Sequence, residues 1–358
     1  GQMRFHLDSD QIAIQDTVHG ALQDALPREA LMAYVDDESD FEPKSWNALM
    51  ALGLAGLMLD EDAGGSGLGL LEAAISVEAL GRGAAPGPVI GQILTALALS
   101  KTGNAAVREA MLPGVATGET VASFAFGGDW LPESWTVAVQ DGKADGEVRF
   151  VPSAGSVGVF LVGLGGGALA LVKAGDGVEV TPIASTDRTR PASRVVFKGA
   201  KADILFEAGD PMVARIFDAA LVLVAADALG GAQYCTDLSV DYAQERQQFG
   251  QQIGRFQALK HQLATMALNV EPSRSLLWYA AYAWDSELPD ASRAAAIAKA
   301  HICDRFTQVA RDAIAAHGGI GYTWEYGLNI WFRRSVFDRA VLGSPAVHRA
   351  RAADMGGW

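Results

Sequence analysis

The sequence predicts an α+β protein of several domains, with helical segments at both ends and a β-structure between them. Apolar residues recur at helical spacing up to about residue 120 and again from about residue 210. Between these segments, short β-branched and aromatic runs alternate with glycine and aspartate turns. We therefore expect an N-terminal helical domain at residues 1–120, a middle antiparallel β-barrel or sandwich at residues 121–207, and a C-terminal helical bundle at residues 208–358.

The N-terminal segment contains three predicted helices. The first covers residues 8–26, where Asp8 is a candidate cap and Pro27 ends the helix. A second is expected around residues 46–57 and a third around residues 72–80. Glycine-rich and proline-rich stretches separate and end these helices.

The middle segment contains six runs that are typical of short strands. They lie at residues 135–139, 148–151, 157–162, 168–172, 178–182 and 194–197. Their length and the turn residues between them favour a small antiparallel structure. The glycine-rich residues 163–167 lie between two of these runs with no helix after them, so we interpret them as a hairpin turn and not as a dinucleotide-binding loop.

Two apolar stripes with spacings of three and four residues characterise the C-terminal segment. One contains Phe256, Leu259, Leu263, Met266 and Val270, and the other contains Cys303, Phe306, Ala310, Ala313 and His317. Such stripes bury one face of each helix against its neighbours, as in an antiparallel bundle.

Composition argues against several classes of function. With 28 basic and 42 acidic side chains the formal net charge is −14, so attraction to nucleic acid or to an anionic membrane is not expected. No apolar run reaches the roughly 18 residues of a membrane span. The start resembles a tag remnant and no signal series follows it, so we expect a cytoplasmic protein. Cys235 and Cys303 are expected to be small buried side chains, and no metal-ligand spacing is present.

The sharpest local motif extends from Glu245 to Gly250 and continues to Gln257. One helix is expected to end here and another to begin after a short polar loop. An arginine side chain forms charge-assisted hydrogen bonds with a diphosphate, and an aromatic ring offers a face to an adenine. A solvated turn between two helices fits the same residues, so chemistry alone leaves both interpretations open.

A second motif, AAHGGIGY, occupies residues 315–322. Its glycines allow the backbone to approach a ligand closely. Glycines also simply end helices, and the motif by itself does not distinguish the two roles.

Together these motifs resemble the acyl-CoA dehydrogenase family, and the resemblance spans essentially the whole chain. The C-terminal half carries the strings E-R-x-x-F-G-x-x-I…F-Q and H-G-G-x-G-Y-T-x-E, in that order and about seventy residues apart. The N-terminal half carries a related glycine-rich pattern at residues 60–67 and the string E-x-L-G-R at residues 78–82. The resemblance implies an N-terminal helical domain, a middle β-domain and a C-terminal four-helix bundle.

The resemblance also implies an activity and a cofactor. Members of this family oxidise an acyl-CoA thioester to the α,β-enoyl-CoA: a glutamate removes the α-proton while the β-hydride passes to N5 of FAD. Each FAD lies between two subunits. One chain's β-domain binds the flavin ring, and the neighbour's C-terminal motifs bind the diphosphate and the adenine.

Carried over position by position, the resemblance places the expected cofactor contacts in the two C-terminal motifs. They are Arg246, Gln248, Phe249, Phe256 and Gln257 in the first motif, and Ala315, His317, Gly318 and Gly319 in the second. Ala315 falls where the family usually has glutamine, so one side-chain donor is lost.

The catalytic positions depart from the family. Its Y-E-G-T string falls on residues 341–344, which read VLGS, so the base position is Leu342. An alternative base position, on the first helix of the C-terminal domain, falls on Ala220. Neither side chain accepts a proton. The flavin-ring loop T-E-P-x-x-G-S is also missing, since residues 123–129 read SFAFGGD.

These departures indicate a partner-dependent subunit. Some bacterial acyl-CoA dehydrogenases are α2β2 assemblies of two different chains that act on bulky CoA thioesters, such as steroid side-chain or bile-acid intermediates. This sequence resembles the chain that lacks the glutamate. The resemblance therefore implies a homologous partner that supplies the base and shares its FAD with this chain.

Two alternatives stay open. The chain could be an independent homo-oligomeric flavoenzyme with a different base, for which Asp227 and Glu245 are the candidates. Asp227 lies in an apolar helix, where burial is expected to raise the pKa of a carboxyl, although a hydrogen-bonded structural role fits it as well. The chain could instead be a flavin-free structural or regulatory subunit, which Ala315 favours and Arg246 opposes.

Overall fold

The computed structural model describes residues 6–37 and 39–358. Helices form the N-terminal part: α1 (Ser9–Ala25), α2 (Arg28–Asp36), α3 (Pro43–Ala51), α4 (Leu70–Arg82), α5 (Val89–Lys101) and α6 (Ala105–Thr117). Helix α1 begins with a capping box. The Asp8 carboxylate accepts from the Gln11 N–H at 2.8 Å, while the Gln11 side chain accepts from the Asp8 N–H at 3.0 Å.

The middle part is a seven-stranded sheet. Its strands are β1 (Ala122–Ala125), β2 (Ala138–Gln140), β3 (Lys143–Pro152), β4 (Val159–Leu164), β5 (Ala168–Lys173), β6 (Val178–Pro182) and β7 (Ala192–Phe206). The strand order is β1-β4-β5-β7-β3-β2, and β6 pairs with β7. The long strand β7 joins the two halves of the sheet.

The C-terminal part is helical. It contains α7 (Pro211–Glu245), the short strands β8 (Gln247–Gln248) and β9 (Gln251–Gln252), then α8 (Gln257–Asp285), α9 (Ala291–Ala316), α10 (Leu328–Ala340) and α11 (Pro345–Met355). Helices α7, α8 and α9 pack side by side, and the core contains Met266 and Val270 of the first predicted stripe and Cys303, Phe306, Ala310 and Ala313 of the second. Phe256, predicted as the first member of the α8 stripe, lies before the helix.

Helix α7 crosses α4 at two glycines. A Cβ atom added to Gly81 would lie 1.9 Å from the carbonyl oxygen of Asp227, and one added to Gly230 would lie 1.9 Å from the carbonyl oxygen of Glu78. Only glycine permits so close an approach of two backbones. This crossing places Asp227 and Glu78 at the contact between the N-terminal and C-terminal parts.

The predicted fold class is confirmed, with local differences. Residues 165–167 form the turn of an antiparallel β4–β5 hairpin, as expected. The sheet is not wholly antiparallel, because β1 pairs in parallel with β4. Ser123, assigned to a loop after the first strand, lies within β1 itself. The second predicted helix ends at Ala51, because Gly53 takes a left-handed φ of +79°. The division at residues 120 and 207 stays a prediction.

Over the described residues, no helix combines the length and apolarity needed to cross a membrane. The same residues contain no cluster of three histidine, cysteine or acidic side chains arranged to hold a metal ion. Cys235 and Cys303 are buried, and burial raises the pKa of both thiols.

Candidate active site

The first motif forms a two-residue β-hairpin at the end of α7. Strands β8 and β9 pair Gln248 with Gln251, so Phe249 and Gly250 are the turn. Both turn residues have positive φ, +53° and +77°, as a type I′ hairpin turn requires. This conformation suits glycine but strains phenylalanine. The sequence predicted a turn between two helices here and did not predict the hairpin.

The hairpin presents a guanidinium and an aromatic ring to the outside. Phe249 is 91% exposed, and its ring meets the ring of Phe256 edge-on at 6.3 Å. Arg246 caps the C-terminus of α7 and is exposed; its side chain forms no ion pair with any residue in the described ranges. Gln257 begins α8 and lies within 2.8 Å of the His261 ring. A strained, exposed aromatic beside an unpaired arginine is a feature that needs a functional explanation.

The second motif lies next to the first. His317 ends α9, and its ring stacks on Tyr242 of α7 at 4.4 Å, one turn before Arg246. The His317 Nδ1 lies 2.7 Å from the carbonyl oxygen of Ala313, and burial lowers the pKa of this imidazole. The His317 side chain is buried in its own chain, whereas the backbone of Gly318 and Gly319 is exposed. Ala315 is exposed and offers no side-chain donor.

One of the two family base positions, Ala220, lies far from this surface. Ala220 is buried on α7, one turn before Val224. From Val224 to the end of α7 at Glu245, the helix rises by about 30 Å. Glu245 is exposed beside the hairpin, which places it too far away to act on a substrate held near Ala220.

The loop with the second base position is fixed by buried cations and imidazole. Leu342 is fully buried with a left-handed φ of +63°. Its carbonyl oxygen lies 2.8 Å from His348 Nε2, and the carbonyl of the next residue, Gly343, accepts from Lys299 Nζ at 2.9 Å. Lys299 also donates to the carbonyls of Asp338 and Arg339. The loop is held by its backbone and contains no carboxylate where the family has its base.

Burial lowers the pKa of His348 to about 4 from its ordinary value of 6.5. The neutral ring donates from Nε2 to Leu342, and its Nδ1 accepts from Arg351 at 3.1 Å. Because the unfolded chain binds this proton more readily, stability is full above pH 6.5 and decreases as the pH falls toward 4.

We therefore expect the free energy of unfolding to fall more steeply between pH 6.5 and 4 for the natural chain than for a His348→Gln variant. Glutamine keeps an N–H for the Leu342 carbonyl but does not titrate. Chemical denaturation at several pH values measures the difference between the two curves. Parallel curves would contradict the neutral, donating imidazole.

A buried ion network lies beside these positions and joins all three parts of the chain. Asp227 of α7 accepts from Arg334 of α10 at 2.6 and 3.0 Å, and from Arg190 of the β6–β7 loop at 3.3 Å. Arg190 also donates to Asp187 at 2.9 Å and to Asp338 at 2.8 Å. Arg334 donates to the carbonyl of Ala85, between α4 and α5, at 2.9 Å, so the network ties the N-terminal part to the other two.

The expectation that Asp227 has a raised pKa is wrong. Burial alone would raise it, but the charges of Arg334 and Arg190 outweigh burial and hold the pKa of Asp227 below its usual range. A carboxylate of low pKa, 1% exposed and bound by two guanidinium groups, is a poor general base. The raised pKa belongs to Asp338, because burial and the charge of Asp227 outweigh the attraction of Arg190.

The network leaves almost no room at the base positions. Val224, Asp227, Arg190, Arg334 and Val341 line a cavity of about 30 Å³. This space accommodates about two water molecules, whereas pockets for drug-sized ligands measure about 300–1,000 Å³. This cavity is therefore too small for a flavin ring or an acyl chain.

The segment that replaces the flavin-ring loop is likewise packed. Phe126 is fully buried, with its ring centre 4.9 Å from that of Trp135 and 5.0 Å from that of Phe124. Gly127 and Gly128 then turn the chain with positive φ. Aromatic packing, and not a row of hydroxyl and amide donors, shapes this loop.

The exposed hairpin of this chain fits part of FAD, whereas the cavity at Val224 and the packed loop do not. The exposed Arg246 and Phe249 suit the diphosphate and adenine of a dinucleotide. The small cavity and the packed loop do not suit its flavin ring. The sequence motifs identified the first surface, but Arg190, Arg334, Asp338, Lys299 and His348 were missed, since charged side chains carry no sequence signal for burial.

Comparison with known proteins agrees with this structure. Models of the acyl-CoA dehydrogenase N-terminal and C-terminal domains match residues 8–119 and 208–356. Acyl-CoA dehydrogenase IpdE2 of Mycolicibacterium smegmatis is 28% identical over 95% of this chain and 96% of its own length. Acyl-CoA dehydrogenase FadE34 of Mycobacterium tuberculosis is 33% identical over 91% of this chain, but only 45% of FadE34 is matched.

Solved structures show the same fold. A chain of the Tcur3481–Tcur3483 steroid ACAD G363A variant superposes with a TM-score of 0.89 at 28% identity, covering 97% of this chain and 98% of that one. Butyryl-CoA dehydrogenase from Megasphaera elsdenii has the same TM-score at 22% identity, over 99% of this chain and all of its own, which shows the fold alone. From both of its helical domains and its overall fold, the chain belongs to the acyl-CoA dehydrogenase family.

Proposed function

We propose that this chain is the subunit of a heteromeric, FAD-dependent acyl-CoA dehydrogenase that completes the FAD site of a homologous partner. The family consists of oxidoreductases that act on acyl-CoA thioesters. The observation that carries the proposal is the separation of two surfaces along α7. The exposed hairpin with Arg246 and Phe249 lies about 30 Å from the cavity at Val224, and that cavity measures only about 30 Å³.

In this proposal each part of the chain has a distinct task. When bound, FAD would supply the acceptor for the hydride of the acyl β-carbon. Arg246 binds the diphosphate, Phe249 covers the adenine, and the backbone of Gly318 and Gly319 approaches the adenosine. The partner supplies the glutamate that removes the α-proton, because Leu342 and Ala220 hold none. An α2β2 assembly then contains two FAD sites, each with a hairpin from this chain.

We further propose a bulky acyl group, such as a steroid or bile-acid side chain, and a cytoplasmic location. Support for the acyl group comes from the similarity to the Tcur3481–Tcur3483 steroid ACAD, whose name joins two components. The fully buried Leu342 and Ala220 are no part of an acyl pocket in this chain, so the partner determines which acyl group enters.

The flavin content of the purified proteins tests the proposal. We expect no flavin on this chain alone, and about one FAD per pair of chains when it is co-expressed with a homologous acyl-CoA dehydrogenase chain that carries the glutamate. Absorbance of the bound flavin against protein concentration gives this ratio. Stoichiometric FAD on the lone chain would overturn the proposal and revive an independent flavoenzyme.

The same measurement distinguishes the second alternative. A flavin-free structural subunit would leave the FAD content of the partner unchanged, whether or not this chain is present. The exposed Ala315, which lacks the usual side-chain donor, is the observation in its favour. Arg246 and Phe249 argue against a flavin-free structural subunit, because a purely structural surface does not require a strained aromatic ring or a guanidinium without an ion-pair partner.

A further inference from the structure

A second candidate site lies on the other side of the α4–α7 crossing. Two adjoining cavities, of about 290 and about 380 Å³, open along α1, and both are lined by His19 and Arg82. Together they follow α1 for roughly three turns, about 16 Å. Their size is in the range of pockets for small molecules, in contrast to the cavity of about 30 Å³ at Val224.

The smaller cavity is polar and contains an unsatisfied carboxylate. Glu78 is 5% exposed. Its Oε1 is bound by Arg274, whereas its Oε2 has no hydrogen-bond partner among the described residues. Arg274 is held in turn by Gln233, to which it donates at 3.0 Å. A buried oxygen without a donor is costly, so this cavity lacks one O–H or N–H group that a ligand can supply.

The larger cavity is apolar with a cation at its edge. Its wall contains three leucines that are 6% exposed or less: Leu22, Leu26 and Leu31. Tyr234 and Trp331 stack at 4.2 Å in the same wall, and the Trp331 N–H is already used by the carbonyls of Gly81 and Arg82. Nothing in this wall demands a polar partner.

Arg28 supplies the charge at the far end. It is exposed and lies 5.5 Å from the centre of the Tyr326 ring, and it makes no ion pair within residues 6–37 and 39–358. Arg82, between the two cavities, is already paired with Asp237 at 2.8 Å. The groove therefore has a hydrogen-bond acceptor at one end and an apolar middle. At the other end is a guanidinium that is hydrogen-bonded to Tyr234 but has no ion-pair partner among the described residues.

We propose that this groove binds an apolar carboxylate with a hydroxyl group at its opposite end. The carboxylate pairs with Arg28, the apolar body lies against the leucines and Trp331, and the hydroxyl donates to Glu78 Oε2. Charge complementarity selects an anion at the Arg28 end, and the unpartnered oxygen selects a donor at the Glu78 end. The Arg28 end adjoins the second motif, because the Tyr326 ring beneath Arg28 lies 5.0 Å from the His317 ring. The proposal does not depend on the function proposed above.

Calorimetric titration of the full chain, without FAD or partner, tests this site with two probes. We expect ω-hydroxylaurate to bind about tenfold more tightly than laurate, because only the hydroxylated acid satisfies Glu78. Arg28→Ala should weaken both probes about tenfold. Arg149→Ala, which changes an exposed arginine on β3, is the matched control and should bind both probes like the natural chain.

Glu78→Gln preserves the size of the side chain and should reduce the preference for ω-hydroxylaurate at least threefold, because the acceptor charge is lost. Arg28 is exposed, so its variant tests the site even if the Glu78 variant does not fold. Equal affinity for the two acids, no saturable binding, or an Arg28→Ala variant that binds like the control would overturn the proposal.

Discussion

Replacement of Arg246 by alanine in the assembled complex is expected to weaken FAD binding by about ten- to hundredfold. The guanidinium is exposed, has no ion-pair partner among the described residues, and lies beside an aromatic ring. Hydrogen bonds to charged groups contribute about 1.5–3 kcal/mol, and about 1.4 kcal/mol corresponds to tenfold in affinity. The loss should therefore be large in the complex, while the fold of this chain stays intact.

Two matched variants define the role of Arg246. Arg246→Lys keeps the charge but loses the planar fork, so its affinity should be intermediate. Arg255→Ala removes a second exposed arginine of the same segment and should leave FAD binding unchanged. Release of FAD on dilution, followed by flavin fluorescence, gives the affinities, and thermal unfolding of the lone chain serves as the folding control. Unchanged affinity in Arg246→Ala would show that the hairpin does not contact the cofactor.

The sequence predicted the elements whose signals are local. The apolar stripes predicted α8 and α9, and the alternation of strand runs with glycine turns predicted β4, β5 and the turn between them. The motif around Arg246 was recognised from the types and the order of its residues, which do not depend on the backbone conformation. Its hairpin was not predicted, because a type I′ turn normally has asparagine or glycine where this chain has Phe249.

The ion network was not predicted, because its members are distant in sequence. Asp187, Thr189 and Arg190 lie in a polar stretch that is typical of a surface loop. Only the packing of that loop between α7 and α10 buries them beside Asp227 and Arg334. The prediction for Asp227 took only burial into account. The charges of the two arginines reverse the direction of its pKa shift.

Removal of one charge from this network is expected to have the largest effect on stability. Asp227→Asn leaves the buried Arg334 and Arg190 with one carboxylate fewer. Loss of one partner from a buried ion pair typically costs about 3–5 kcal/mol. Chemical denaturation of the lone chain at neutral pH should show a loss of this size, with the midpoint displaced to lower denaturant concentration.

The same substitution at Asp338 should behave differently, and the contrast tests the charge assignment. The raised pKa of Asp338 means that the folded chain binds this proton more tightly than the unfolded chain does, so the stability it contributes is lost as the pH rises through that pKa. Asparagine resembles the protonated acid and keeps an oxygen for Arg190. Asp338→Asn should therefore leave stability at neutral pH unchanged or slightly higher.

Asp227 has the opposite dependence, since its stabilisation is present above its ordinary pKa and is lost on acidification. Equal losses in the two variants would mean that both carboxylates are ionised. The side chains of the ion network would then carry a net negative charge. The network would not be balanced in charge, as the arrangement described requires.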